Sequence, residues 1–170
     1  MLLGERFPQS TFRGYDLSGE AIAYATKQAA EHGLDNVTFE QRDLTTFDVD
    51  AEPETFDYVA TFDAVHDQAK PLAMLRGIRR TLKPDGTYLM QDIKGSRHHH
   101  ESMDHPGAPL LYMTSCMHCM TVSLAQGGDG LCAMWGEEKA RELLAEAGFS
   151  LVDVHLLEHD PFNAYFVVRP

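Results

Sequence analysis

The sequence has no long hydrophobic run and little positive charge. None of its apolar stretches approaches the roughly 20 residues that cross a bilayer, and its start lacks the basic and then apolar segments of a secretory signal. Lysine and arginine number 14 against 26 aspartates and glutamates, a net charge of −12. Because this balance repels phosphate backbones and anionic lipids, we expect neither a nucleic-acid nor a membrane partner.

Cysteine is scarce as well. The three cysteines, Cys116, Cys119 and Cys132, are an odd number in a chain without an export signal, so we predict reduced thiols and a cytoplasmic protein. The apolar share of 44% and the charged share of 24% are those of an ordinary globular protein. At 170 residues, and without repeats or linkers, the chain is predicted to form one domain.

One stretch organises the rest of the chain. Residues 56–62 (FDYVATF) are rich in β-forming side chains, and a polar cluster from Asp63 to Asp67 follows directly. A buried parallel strand has this pattern where its last residues face a ligand crevice. An ordinary core strand with a solvated polar end is the alternative.

Strand and helix patterns alternate on both sides of this stretch. We predict a Rossmann-like, doubly wound and mostly parallel sheet with a C-terminal antiparallel hairpin. An acidic stretch at 48–54 is interpreted as a solvated loop, and residues 83–86 (KPDG) as a turn. The predicted strands are 11–17, 36–41, 56–62, 87–93, 149–157 and 163–169, and the predicted helices are 18–32, 71–82, 110–125 and 135–147.

Acidic or polar residues stand where four of these strands end. They are Asp16, Asp43, the cluster at 61–67 and Asp92. Since right-handed crossovers place the carboxyl ends of parallel strands at one rim, we expect these side chains to converge there. Strand periodicity alone does not identify the ligand.

Several motifs together resemble class I S-adenosylmethionine-dependent methyltransferases along the whole chain. Residues 14–18 (GYDLS) are similar to the segment whose acid holds the ribose hydroxyls, and residues 42–44 (RDL) to the one that receives the adenine amino group. Residues 56–67 and 82–86 are similar to the family's fourth-strand motif and to its turn before the fifth strand. A carboxylate suits a diol, because it can accept two charge-assisted hydrogen bonds.

The resemblance implies S-adenosylmethionine as cofactor, and it implies a set of residues beside it. A bland alternative exists for each part of the set: a charge at a helix N-terminus for Asp16, a loop cap for Asp43, and plain core and turn for 61–63. The implied cofactor-binding residues are Asp16, Leu17, Asp43, Leu44, Thr61, Phe62 and Asp63.

Residues 98–101 (HHHE) and 115–123 (SCMHCMTVS) resemble a bacterial subgroup in which the methyltransferase domain follows a winged-helix-like segment. The chain departs from the family in having no glycine-rich GxGxG turn, and residues 1–4 are similar to the middle of the helix after that turn. We therefore predict a domain over 1–170 that lacks the family's first strand and glycine turn and carries a lid-like insertion at about 94–130. Exposed strand edges should then pair directly, or another copy should fill the gap and form a homodimer.

His66 is the candidate catalytic residue, since imidazole can act as a general base near neutral pH; a satisfied histidine at a helix start is the alternative. If 110–125 is helical, Cys116 and Cys119 share a face with Tyr112, so we predict a substrate pocket there. The spacing of Cys116 and Cys119 would also suit zinc, but no second pair follows at finger spacing, and we predict no metal site. The predicted pocket residues are Tyr112, Cys116, His118 and Cys119.

The sequence thus supports an S-adenosylmethionine-dependent methyltransferase acting on a small molecule, with this chain crippled by the lack of a glycine turn. Two other classes stay open. One is a non-catalytic, dimeric ligand-binding module. The other is a metal-binding module built on the histidine- and cysteine-rich region.

Overall fold

A computed structural model describes all residues, 1–170, and the chain forms two units, Met1–Leu44 and Thr45–Pro170. The first unit contains α1 (Leu2–Arg6), β1 (Phe12–Asp16), α2 (Gly19–Glu31) and β2 (Val37–Gln41). β1 and β2 are parallel, in a register that runs from Phe12 opposite Val37 to Asp16 opposite Gln41.

Local side-chain chemistry accounts for the elements of the first unit. The Ser18 hydroxyl accepts the amide hydrogen of Ala21 at 3.2 Å and so caps α2 as its sequence predicted. Gly33, at φ +65°, ends that helix in the left-handed region. The Asn36 side-chain amide donates to the carbonyl of Gly4, which ties α1 to the loop before β2.

The second unit is built on a four-stranded sheet with the order β3-β4-β6-β5. β3 and β4 are parallel, while β6 is antiparallel to both β4 and β5. Its strands are β3 (Phe56–Phe62), β4 (Leu82–Ile93), β5 (Leu151–Leu157) and β6 (Asp160–Arg169). Its helices are α3 (Phe47–Asp50), α4 (Pro71–Thr81), a 3₁₀ turn (His99–Ser102), α5 (Ala108–Thr114), a π turn (Ser115–Cys119), α6 (Met120–Ala125) and α7 (Gly136–Glu146).

The predicted α/β class with a C-terminal antiparallel hairpin is confirmed, and the core of the second unit follows the predicted apolar positions. Leu75 and Ile78 of α4 and Leu144 of α7 are buried, as is Tyr88 of β4. The chain from Ala108 to Ala125 is helical throughout, which confirms the helix predicted over 110–125. None of the helices has the length and apolar character needed to span a bilayer.

The structure corrects two local predictions. The acidic stretch keeps Asp50, Glu52 and Glu54 exposed, as predicted, but it begins with the short helix α3 and is not a loop throughout. Phe47 at the start of α3 is buried against Gly77 of α4, where any side chain would collide with the Phe47 ring. Residues 83–86 do not precede the strand but lie within β4, where Leu82 pairs with Phe56 and Thr87 with Tyr58. The extra residues form a bulge in the strand, a device that periodicity does not reveal.

The six strands form two sheets, β1-β2 and β3-β4-β6-β5, and not one. The expectation that the remaining strands pair directly across the gap is therefore wrong for this chain. Pairing needs a continuous ladder of backbone hydrogen bonds, and β1 and β3 make their ladders with β2 and β4 alone. Covering of the open edges by another copy of the chain stays a prediction.

Candidate functional site

In the first unit, two acidic residues lie at the same edge of the parallel pair. Asp16 is the last residue of β1, and Asp43 follows β2 by two residues. The amide of Arg42 donates to the Asp16 carbonyl at 2.9 Å, so the two segments continue side by side beyond the strands. The structure thus places the two acidic residues that the sequence predicted for one nucleoside at the same edge of the parallel pair.

The Asp16 carboxylate is exposed and already held in place. Its Oδ1 accepts the amide hydrogen of Ser18 at 2.7 Å, at the start of α2. A carboxylate has lone pairs for about four hydrogen bonds, so capacity for a ribose diol remains. Of the neighbouring predicted residues, Leu17 is 55% exposed and Leu44 is half-buried. The residues of this edge fit a nucleoside ligand, because exposed acceptors lie beside exposed apolar surface.

In the second unit, the predicted residues at the end of β3 have three different environments. Thr61 is buried, and its hydroxyl lies 2.7 Å from that of Tyr88, so it belongs to the core. Phe62 is 61% exposed. Asp63 adopts φ +47°, which is uncommon for a residue with a side chain. Its Oδ1 accepts a hydrogen bond from the side-chain amide of Gln91 at 3.1 Å.

His66 and Asp92 form a buried pair beside this strand end. Nδ1 of His66 lies 2.7 Å from Oδ1 of Asp92. The same oxygen accepts the indole N–H of Trp135 at 3.1 Å and the amide N–H of Ile93 at 2.8 Å. Because a carboxylate oxygen only accepts, Nδ1 of His66 is the donor in this pair. Asp92 therefore determines the orientation of the imidazole.

The electrostatics of the pair favour a charged imidazole. Burial opposes protonation of His66, but the hydrogen bond and charge of Asp92 and the charges of Asp67 and Asp63 outweigh it, so the pKa of His66 lies above its ordinary value. Burial also raises the pKa of Asp63. The sequence placed Asp92 at the rim, but it gave no signal for Trp135, whose indole comes from a distant helix start.

The second ring nitrogen of His66 faces a different group. Nε2 lies 3.4 Å from Oδ1 of Asp67, and the sulfur of Cys119 lies close to both side chains. Burial, together with the hydrogen bond and charge of Asp67, raises the pKa of the Cys119 thiol to about 12. Cys119 is therefore protonated at neutral pH and is not nucleophilic.

A separate open cavity of about 420 Å³ lies beneath the helical insertion. Of the four residues predicted for a substrate pocket, Tyr112 and Cys116 line this cavity, whereas Cys119 and the exposed His118 do not. A π turn includes one more residue per hydrogen-bonded ring than an α turn, so residues three apart no longer share a face. The cavity is lined by Arg97, His99, Tyr112, Ser115, Cys116, Met120, Leu131, Cys132, Met134, Trp135 and Lys139.

The lining of the cavity is mostly apolar and aromatic. The His99 and Tyr112 rings stack with centroids 5.2 Å apart, and they present one continuous aromatic wall. The two cations at the cavity, Arg97 and Lys139, both donate to Glu142 at 2.6 Å, which offsets part of their charge. Such a site suits a flat, largely apolar small molecule.

A comparison with protein families identifies one family for this chain. A family model described as a methyltransferase domain matches residues 2–157. No curated protein matches the sequence.

Solved structures of methyltransferases share the fold at low identity. A SAM-dependent methyltransferase from Aquifex aeolicus has a TM-score of 0.63 at 17% identity, over 93% of this chain and 68% of its own. An O-methyltransferase family protein from Burkholderia thailandensis has a TM-score of 0.70 at 17% identity, over 97% of this chain and 45% of its own. The trans-methyltransferase CalH in complex with SAH has a TM-score of 0.67 at 20% identity, over 94% of this chain and 42% of its own. The chain spans less than half the length of the last two.

Proposed function

The chain belongs to the family of methyltransferase domains, and we propose that it acts in S-adenosylmethionine-dependent methyl transfer to a small molecule. The observation that carries this proposal is the family match over residues 2–157, joined to the exposed carboxylates at one edge of β1 and β2. Structural neighbours that use or bind this cofactor support it.

Each part of the chain would have a distinct role. When bound, the cofactor supplies an activated methyl group, which the acceptor takes in an in-line displacement. Asp16 would hold the ribose hydroxyls, and Asp43 would accept from the adenine amino group. The aromatic wall of Tyr112 and His99 would hold the acceptor and exclude water.

A role of His66 as general base is a prediction that pH dependence can test. His66 does not line the cavity, and both of its ring nitrogens face carboxylates. A base with a raised pKa would make methyl transfer increase with pH above about 6.5, the ordinary pKa of histidine. A rate that is independent of pH from 6 to 9 would remove His66 from the chemistry.

Cofactor binding is the direct test. We propose that residues 1–170 alone bind S-adenosylhomocysteine weakly, since they contain no GxGxG turn. Saturation-transfer NMR, which detects weak ligands, should show binding that Asp16→Ala reduces about tenfold or more, a loss of about 1.4 kcal/mol. The matched control is Glu20→Ala, an exposed acid in the first turn of the same helix, which should leave binding unchanged. Equal binding by wild type and Asp16→Ala would refute the assignment of Asp16.

The acceptor cavity has its own test in the active protein. Replacing Tyr112 by Ala removes the aromatic wall, so KM for the acceptor should rise at least tenfold while cofactor binding is kept. Met113→Ala, an exposed neighbour outside the cavity, is the control. An unchanged KM in the Tyr112 variant would place the acceptor elsewhere.

A non-catalytic dimeric module is the second candidate, and the two separate sheets favour it. β3 is an edge strand, and Tyr58 and Phe62, two and six residues into it, are 47% and 61% exposed. Sedimentation at micromolar concentration separates the candidates. A stable dimer without cofactor affinity would favour the module, and a monomer that binds the cofactor would favour the enzyme.

A further inference from the structure

Three side chains with the donor atoms of a zinc site lie together outside the cavity and outside the proposed nucleoside edge. They are His66 and Asp67, in the loop after β3, and Cys119, at the end of the π turn. One ligand atom from each lies within 4.8 Å of the other two. Imidazole nitrogen, carboxylate oxygen and thiolate sulfur are the three ligand types that zinc takes in proteins.

The imidazole is oriented as a metal ligand. Asp92 holds Nδ1 at 2.7 Å and is itself held by Trp135 and by the amide of Ile93, so Nδ1 carries a proton and Nε2 is the nitrogen that faces Asp67. A metal ion would bind the neutral imidazole through Nε2 and would displace the second proton that the metal-free imidazole takes up. A carboxylate behind a histidine is the usual outer partner of a metal-bound imidazole, because it fixes the tautomer and raises the basicity of the other nitrogen.

The spacing agrees with one tetrahedral ion. Neighbouring ligands around zinc lie about 3.3 to 3.8 Å apart, given bonds of about 2.0 to 2.3 Å. Nε2 of His66 and Oδ1 of Asp67 are already 3.4 Å apart. Since no pair in the group exceeds 4.8 Å, the sulfur needs to approach the other two ligand atoms by at most about 1.5 Å, which rotation about the Cys119 side-chain bonds can supply.

The group is also under-satisfied as it stands. Oδ1 of Asp67 is buried and has no hydrogen-bond partner, which is unfavourable for a buried acceptor. Cys119 is only 5% exposed. Three carboxylates, those of Asp63, Asp67 and Asp92, surround the single imidazole, so the local field attracts a cation.

We propose that His66, Asp67 and Cys119 bind one Zn²⁺ ion, with the fourth position open to water or to a small ligand. This is not the Cys116–Cys119 pair that the sequence spacing suggested, because Cys116 is exposed and lines the cavity. Coordination displaces the thiol proton of Cys119, and it gives the buried Asp67 oxygen a partner. The site does not depend on methyl transfer, so it can be tested in a protein that turns over nothing.

The test uses the protein stripped of metal with a chelator and then titrated with zinc chloride by calorimetry, and with Co²⁺ by absorption spectroscopy. We expect one Zn²⁺ per chain and a cobalt spectrum with a thiolate charge-transfer band. Cys119→Ser should abolish the band and weaken zinc binding at least tenfold, and Asp67→Asn should weaken it while keeping the band. The matched control is Cys116→Ser, three residues earlier in the same π turn, which should bind Zn²⁺ and show the cobalt band as wild type does.

Two results would overturn the proposal. These are the absence of a stoichiometric zinc isotherm for the wild type and a charge-transfer band that survives Cys119→Ser. Asp67 is partly exposed, so Asp67→Asn provides a reading even where Cys119→Ser fails to fold.

Discussion

Carboxylates end parallel strands in both units of the chain, but the two strand ends are built differently. In Met1–Leu44 the carboxylates of Asp16 and Asp43 are exposed, on a two-stranded sheet. In Thr45–Pro170 Asp92 is 1% exposed, and its Oδ1 accepts hydrogen bonds from a histidine ring, an indole and a backbone amide. The same residue type thus has two uses: the exposed Asp16 keeps acceptor capacity for a ligand, and the buried Asp92 orders its neighbours.

The largest effect expected from this comparison is the loss of Asp92. Asp92→Ala leaves the His66 imidazole and the Trp135 indole buried without an acceptor, so the free energy of unfolding should fall by about 3 to 5 kcal/mol. Urea denaturation followed by Trp135 fluorescence measures it, since this is the only tryptophan. Asp16→Ala at the exposed strand end is the counterpart and should change stability by less than about 0.5 kcal/mol. Similar losses in both variants would abolish the distinction.

A smaller effect concerns only the charge on His66, studied with a chelator present. The raised pKa of folded His66 means that the folded state binds the proton more tightly than the unfolded state. The resulting stability is present below about pH 6.5 and is lost as the pH rises through the raised value. Denaturation midpoints from pH 6 to 9 should therefore decline for wild type.

The control for this pH effect is His66→Gln, which keeps a polar side chain and removes the titrating group. Its midpoints should decline less over the same interval. An equal decline in the two proteins would show that another group dominates the titration.

The smallest expected effect on stability concerns the first unit, Met1–Leu44. Ser18→Ala removes the hydroxyl that caps α2, at a cost of about 1 kcal/mol. Hydrogen exchange of the amides in the first turn of α2 should quicken, whereas amides of β4 in the other unit should keep their protection. Ser18→Asp, which can cap as well, should exchange as wild type does. Faster exchange throughout the chain would mean that the effect is not local.

Regular patterns account for most of what the sequence could predict. Alternating strand and helix signals, a capping serine and the acids at strand ends led to the correct elements and to the parallel arrangement of Asp16 and Asp43. These features depend on neighbours within a few residues, and sequence patterns report such neighbours well.

Features that depend on residues far apart in the chain could not be predicted from the sequence. The alignment of Tyr112, Cys116 and Cys119 assumed an α-helix, and a π turn removed Cys119 from that face. The shared oxygen of Asp92 joins residues 66, 92 and 135, which only the fold brings together. The division into two sheets likewise reflects pairing over long separations.

The π turn affects how readily the cysteines on it are oxidised. It leaves Cys116 exposed on an open cavity and places Cys119 in the interior, three residues away, where burial raises the pKa of its thiol as long as no metal is bound. Peroxide attacks the thiolate form of accessible sulfur, so sulfenic acid should appear first at Cys116 and last at Cys119. One irregular turn thus gives two nearly adjacent thiols opposite susceptibilities to damage.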